Sequence, residues 1–194
     1  LGQDNSFYPD TRALRTWLLS NSKGKTVLNT FAYTGSLGLA ALGGGAARLV
    51  QTDLNPRFLE LGRRSASLNG LESKLISLPG NFFTVIAELK RKNRLFDTVI
   101  LDAPYFSQTR AGTVDLQRGF LKLVNKLRPL VAHEGHLILV NNALYVSGAE
   151  MQQQIQELCQ SGYLEMEAIV PVPQDCTGYA QTICGAAPAN PAPF

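Results

Sequence analysis

Three places in the sequence pair a potential ligand contact with the end of a strand-like run. Thr34 and Gly35 follow an apolar run at 26–30, Asp53 closes a run at 47–53, and the tetrapeptide Asp102-Ala103-Pro104-Tyr105 follows a run at 95–101. A glycine-containing turn opening a helix offers unpaired backbone N–H groups to an anion. A carboxylate at the tip of the next strand, about 20 residues on, accepts hydrogen bonds from the ribose of a nucleoside-containing ligand. The turn reads NTFAYTGSLG, with bulky Phe31 and Tyr33 where a G-x-G-x-x-G loop has its first glycines. A diphosphate is therefore disfavoured, whereas a smaller anion such as an amino-acid carboxylate can be met by Thr34 and Gly35. No G-x-x-x-x-G-K-[ST] loop occurs.

The surrounding elements must bring these ends together. Leu14, Trp17 and Leu18 recur at helical spacing within 10–19, and residues 37–42 open a second helix. Asn55 and Pro56 start a helix that stops at Asn69-Gly70. Residues 74–78 read as a third strand, 82–92 as a helix, and 95–101 as a buried central strand. A helix is predicted over 114–128, closed by Pro129, then a strand over 136–140 after Gly135, and a helix over 151–160. Segments 165–170 and 179–183 are expected to form a final antiparallel hairpin, and the Pro- and Ala-rich tail an extended end. The alternation predicts one domain built on an open, mostly parallel α/β sheet of seven strands with helices on both faces, whose ligands sit at the carboxyl ends of the strands.

The 194 residues suit a single domain, and 45% hydrophobic with 17% charged residues is the balance of a folded globular chain. No apolar run approaches the roughly 18 residues of a membrane span, and the polar opening LGQDNSFYPDTR has no signal-like core. A cytoplasmic location is the expectation. Cys159, Cys176 and Cys184 form no CxxC pair, and His133 and His136 read as surface residues, so no metal site is expected. A net charge of +3 does not by itself indicate nucleic acid. Basic clusters at Arg12/Arg15, Lys90/Arg91/Lys92/Arg94 and Lys122/Lys126/Arg128 would form a phosphate-binding track only if they shared a face.

The run VLNTFAYTGSLGLAAL, then QTDLNP, SLNGL and FDTVILDAPYF, resembles the class I S-adenosylmethionine-dependent methyltransferases, closest to those that methylate bases of large-subunit ribosomal RNA. The upstream GQDNSFYPDTRALR is similar to a segment that helps cover the cofactor in that group. The resemblance runs from about residue 1 to residue 140 and implies a Rossmann-like fold with S-adenosyl-L-methionine as cofactor. It implies that Asn29 and the turn Tyr33-Thr34-Gly35 contact the methionine part, that Asp53 accepts from the ribose hydroxyls, that Asn81 and Phe82 lie near adenine, and that Phe31 and Leu54 also belong to the cofactor site. At position 81 the family commonly has Asp; Asn would use its carbonyl oxygen.

Asp102-Ala103-Pro104-Tyr105 departs from the family's double proline and is similar to tetrapeptides of methyltransferases acting on planar nitrogens. A carboxylate and neighbouring backbone carbonyls can hold an amino group by its hydrogens while an aromatic ring stacks on the base. The resemblance thus gives Asp102, Pro104 and Tyr105 the acceptor side, with RNA as partner and direct in-line transfer. Relatives that methylate cytosine carbon-5 carry a cysteine beside the fourth-strand motif or after the fifth strand; those places here read DAPYFSQ and VNNALYV. A small-molecule or protein acceptor, or a non-catalytic RNA- or nucleoside-binding module, stays open at this stage. RNA-modifying relatives commonly place a separate RNA-binding domain before this region, so either this domain grips the substrate alone or the chain is a piece of a longer protein.

Overall fold

The structure, a computed structural model, describes residues 7–142 and 146–176. A 3-10 turn at Pro9–Thr11 leads into α1 (Arg12–Asn21), then β1 (Thr26–Thr30), α2 (Ser36–Gly43), β2 (Arg48–Asp53) and α3 (Pro56–Leu68). There follow β3 (Leu75–Pro79), α4 (Phe82–Arg91), β4 (Phe96–Leu101), a hairpin of β5 (Phe106–Thr109) and β6 (Gly112–Asp115), α5 (Leu116–Leu127), β7 (Val131–Leu139) and α6 (Gly148–Cys159). The main sheet has the order β3-β2-β1-β4-β7, and every neighbouring pair is parallel. The strand order reverses between β1 and β4, which opens a crevice above their carboxyl ends.

The central strands are buried on both faces, which explains their near-continuous apolar sequence. Alternate residues feed two cores. Val27, Leu49 and Ile100 pack under α1 and α2 with Leu14, Leu18, Leu37 and Leu42. Leu28, Val50, Val99 and Leu101 pack against α4 and α5, whose apolar stripe is Leu116, Phe120, Leu123, Val124 and Leu127. Asp115 caps α5 by accepting from Arg118 N, and Asn55 and Asn81 cap α3 and α4 in the same way. α6 starts with a reciprocal Ser147–Glu150 capping box.

Three differences from the sequence reading have physical causes. Among the described residues the main sheet has five strands where seven were expected: 165–170 joins neither sheet, and 179–183, like the tail, lies outside the described residues. Among the described residues the antiparallel hairpin is β5–β6, and Val114, expected in a helix, is its buried strand residue. β7 begins at Val131 rather than 136, because the register slips between Phe96↔Val131 and Thr98↔His136 and a bulge absorbs the intervening residues. His133 is exposed, whereas His136 stands edge-on to Trp17 and contacts Glu167 at 2.9 Å.

The α1–α2 contact depends on absent side chains. A Cβ at Gly44 would lie 2.4 Å from the Leu19 carbonyl oxygen, which cannot step aside. Gly44→Ala is therefore expected to destabilise the protein by about 1–3 kcal/mol. Gly119→Ala in α5 meets nothing within 4 Å and is expected to stabilise it by roughly 0.5–1 kcal/mol. Urea-denaturation midpoints check both; a Gly44→Ala protein as stable as its parent contradicts the packing described.

Candidate functional site

A cavity of about 440 Å³ lies in the crevice at the strand-order reversal. Its walls come from every loop at the carboxyl edge of the sheet, from the β5–β6 hairpin and from the arm before α1. Of the twelve residues singled out from sequence, Asn29, Phe31, Tyr33, Asp53, Leu54, Asn81, Phe82, Asp102 and Pro104 line it. Thr34, Gly35 and Tyr105 do not.

The loop after β1 runs in an unusual conformation. Phe31 and Tyr33 have φ of 53° and 50°, in the left-handed region that side chains rarely occupy. They do with side chains what a glycine-rich loop does without them, and their rings hold the strain in place. Phe31 stacks on Phe82 at 4.7 Å and 22°, and Tyr33 stands edge-on to Phe58 at 4.4 Å and faces Tyr8 at 5.8 Å. Gly35 follows at φ 84°, and a Cβ there would meet Gln51 Oε1 at 2.7 Å. The buried Gln51 side chain thus lies under the turn, and a Cβ at Gly62 would also strike it. Gly35 thus sits against Gln51 and does not line the cavity.

Asp53 ties the loops together. Its Oδ2 accepts from Tyr33 N and its Oδ1 from Asn55 N, both at 2.9 Å, while its carbonyl accepts from Gly80 N at 2.9 Å. Each carboxylate oxygen keeps a lone pair for a ligand hydroxyl. Asn81 is committed twice: its Oδ1 accepts from Phe83 N as the cap of α4, and its Nδ2 donates to Thr109 Oγ1 of the hairpin at 2.7 Å. A Cβ at Gly112 would lie 2.5 Å from the Phe83 ring, so the hairpin sits tightly on the start of α4.

At the end of β4, Asp102 is part-buried, and removal from solvent pushes its pKa up to about 6. Asn142 Nδ2 donates to Asp102 Oδ1 at 2.6 Å and opposes that rise, while the charge of Asp10 adds to it. The same Nδ2 donates to the Ala103 carbonyl at 3.0 Å. Tyr105 packs against the α4–α5 core, and its hydroxyl donates to Gln117 Oε1 at 3.2 Å. Its carbonyl accepts from Leu116 N, fixing the start of α5.

The sequence reading gave no role to Asn142 or to Ser107 and Thr109, and took the arm only as a segment covering the cofactor, without singling out Asp10 or Tyr8. Asn142 follows the fifth parallel strand, and the strand-end rule applied there would have found it. Ser107 and Thr109 belong to the unanticipated hairpin. Asp10 and Tyr8 line the cavity from the arm, which Arg15 clasps by donating to Tyr8 O and Thr11 Oγ1 and by covering the Phe7 ring at 4.0 Å. Asp10 Oδ1, Asn29 Oδ1 and Thr52 Oγ1 are buried on this wall with no hydrogen-bond partner among the described residues. Buried acceptors without donors mark a place for a ligand rich in N–H and O–H groups. No Lys or Arg among the described residues lines the cavity, nor does any cysteine, and no group of His, Cys, Asp or Glu among them could hold a metal. None of their helices is long and apolar enough to cross a membrane.

"Ribosomal RNA large subunit methyltransferase I" of Aeromonas hydrophila is 33% identical over 165 residues, covering 84% of this chain and 41% of that protein. "Ribosomal RNA large subunit methyltransferase K/L" of Psychrobacter arcticus is 30% identical over 161 residues, covering 79% of this chain and 20% of the relative. The chain thus spans well under half the length of these relatives. Among solved structures, SMU.776 complexed with SAH superposes with a TM-score of 0.80 at 24% identity over 91% of this chain and 47% of that one, which establishes the shared Rossmann-like fold. Residues 1–161 match the family described as S-adenosylmethionine-dependent methyltransferase, and the chain belongs to that family.

Proposed function

We propose that this domain methylates a nucleobase nitrogen in ribosomal RNA by direct in-line transfer from S-adenosylmethionine. The observation that carries the reading is the pair of acceptors at the end of β4, Asp102 Oδ1 and Ala103 O, both within 3.0 Å of one nitrogen beside the cavity. Two such acceptors hold a planar amino group by its hydrogens and aim its lone pair. The absence of cysteine among the described lining residues supports nitrogen over ring-carbon methylation, which needs a covalent nucleophile. Cys176 stands near Arg12 and Arg15 and does not line the cavity.

The residues fit the cofactor. Asp53 would receive the ribose hydroxyls; Asn81 and Phe82, with Phe31 stacked beneath, would border adenine; Leu54 would close the mouth. Asn29, Asp10 and the turn Tyr33-Thr34-Gly35 would receive the methionine end, whose ammonium matches the unpaired oxygens of Asn29 and Asp10. When bound, the cofactor supplies a methyl already activated on a sulfonium, so the protein's part is orientation and exclusion of water. Ionised Asp102 would accept one amine hydrogen far more strongly than its protonated form, with Ala103 O accepting the other, and Pro104 would bound the acceptor's approach. Tyr105 would act by fixing the loop through Gln117 rather than by stacking.

One lysine from each of two basic clusters comes close to the other. Lys90 of α4 is lowered in pKa by burial and by the neighbouring charge of Lys126 of α5, and Lys126 lies over the ring of Phe83, a cavity residue, at 5.5 Å. A polyanion bound along α4 and α5 would therefore lead to the cavity rim. The names of both ribosomal RNA methyltransferase relatives support RNA as the acceptor.

Calorimetric titration with S-adenosylhomocysteine is expected to show binding that Asp53→Asn weakens about 10- to 100-fold; no binding by the wild type, or equal binding by the variant, rejects the cofactor site. Labelled methyl transfer to large-subunit ribosomal RNA is expected to yield an N-methylated base and to be lost in Asp102→Ala, with kcat falling as the pH drops through about 6 and Asp102 takes up its proton. A carbon-methylated product would reject the reading. Because its folded pKa of about 6 exceeds the ordinary carboxyl value of 3.8, Asp102 costs stability progressively as the pH rises between the two and in full above about 6. Asp102→Asn should therefore be more stable than the parent by about 1–3 kcal/mol at pH 7.5 and lose that advantage near pH 4, as measured by urea denaturation. RNA binding should weaken steeply with salt, and Lys90→Ala/Lys126→Ala should flatten the log–log slope by about 1–2; an unchanged slope takes those lysines out of the RNA path.

A further inference from the structure

The nitrogen that defines the acceptor pair is not part of a ligand. It is Asn142 Nδ2, on the segment just beyond β7. An asparagine amide and the exocyclic amine of adenine, guanine or cytosine are the same group in outline, a planar nitrogen with two hydrogens to donate. Asn142 directs its nitrogen at a carboxylate oxygen 2.6 Å away and a carbonyl oxygen 3.0 Å away, and Asn142 itself lines the cavity. Two amines cannot occupy that point together.

We propose that Asn142 is an internal stand-in for the acceptor's amino group, satisfying Asp102 and Ala103 until a base amine displaces it. The inference rests on the nitrogen-acceptor reading of the site. Its physical basis is that a part-buried carboxylate without a donor is costly, and no cation lies on the described wall to supply one. Rotation of the side chain about χ1 or χ2 frees both acceptors without moving β4. The exchange is one N–H donor pair for another, so a base carrying an exocyclic amine restores both hydrogen bonds. Uracil, with no exocyclic amine and only its single N3–H to donate, can satisfy at most one of them. Asn142 is thereby a specificity-determining residue: it sets the standard that an incoming base must match, and it makes a base without an amine the losing competitor.

The experiment is performed on the full chain, 15N-labelled and saturated with S-adenosylhomocysteine, with the Asn142 side-chain amide resonance assigned by its loss in Asn142→Ala. Adenosine, guanosine, cytidine and uridine serve as probes. At least one of the three amino-bearing nucleosides is expected to shift the Asn142 amide pair, and uridine to leave it in place. An amide that moves equally with uridine, or with none of the four, overturns the proposal. In methyl transfer to large-subunit ribosomal RNA, Asn142→Ala is expected to lower KM about tenfold while kcat changes less, since the acceptor no longer competes with the amide. A collapsed kcat with unchanged or raised KM would instead make Asn142 a residue that only holds Asp102 in place, and would equally overturn it. Circular dichroism and retained S-adenosylhomocysteine binding confirm that the variant folds. Failure of the underlying reading looks different: the wild type transfers no methyl to RNA, whatever the nucleosides do to the amide.

Discussion

The geometry of the cavity depends on the carboxylate of Asp53. A parallel sheet leaves its strand ends unconnected at the carboxyl edge, and each loop there is free to take its own course. Asp53 removes that freedom by accepting from the backbone after β1 and after β2, while its own carbonyl accepts from the backbone after β3. One residue thus sets the relative positions of three loops. The left-handed Phe31 and Tyr33 are held between this anchor and the rings of Phe82, Phe58 and Tyr8. Beneath them the buried Gln51 leaves no room for side chains at Gly35 and Gly62, so the turn has one way to sit.

The β5–β6 hairpin extends this rigidity from one half of the crevice to the other. Asn81, at the head of α4, donates to Thr109 across the cavity, and Gly112 lies flat on the Phe83 ring. The loop bearing Asp102 is in turn fixed at its far end by the Tyr105 carbonyl and the Leu116 amide. The two halves of the site are therefore one mechanical unit, in which a shift of α4 is felt at the hairpin and at Asp102.

Much of this was legible in the residues. Strand-helix alternation gave the parallel sheet, and strand ends at Asp53 and Asp102 gave two of the cavity's acids, because both follow from local periodicity and a topological rule. The hairpin was not legible: FSQT and GTVD are short, nearly free of strand-forming pattern, and stabilised by packing on α4 that no local window contains. The same limit applies to β7, where the bulge hides the strand's start behind AHEG. Glu165 to Val170 has the alternation of a strand but pairs with neither sheet. Tyr105 was assigned by motif to the acceptor side, whereas its side chain follows the core of α4 and α5. Asp10 and Asn142 lie in stretches weighed only as a cofactor cover and as a possible cysteine position, and three-dimensional proximity to Asp102 gives them their meaning.

The charge on the cavity wall has a consequence for traffic through it. Asp10, Asp53 and Asp102 line a concavity without a described Lys or Arg, while Lys90 and Lys126 lie along its outer flank. Under the proposed function, a phosphodiester approaching this face would be repelled from the interior, so a nucleotide would present its uncharged portion to the hollow. The same interior favours a positively charged occupant over its neutral remnant. Entry and departure are thereby sorted by charge before any hydrogen bond is formed.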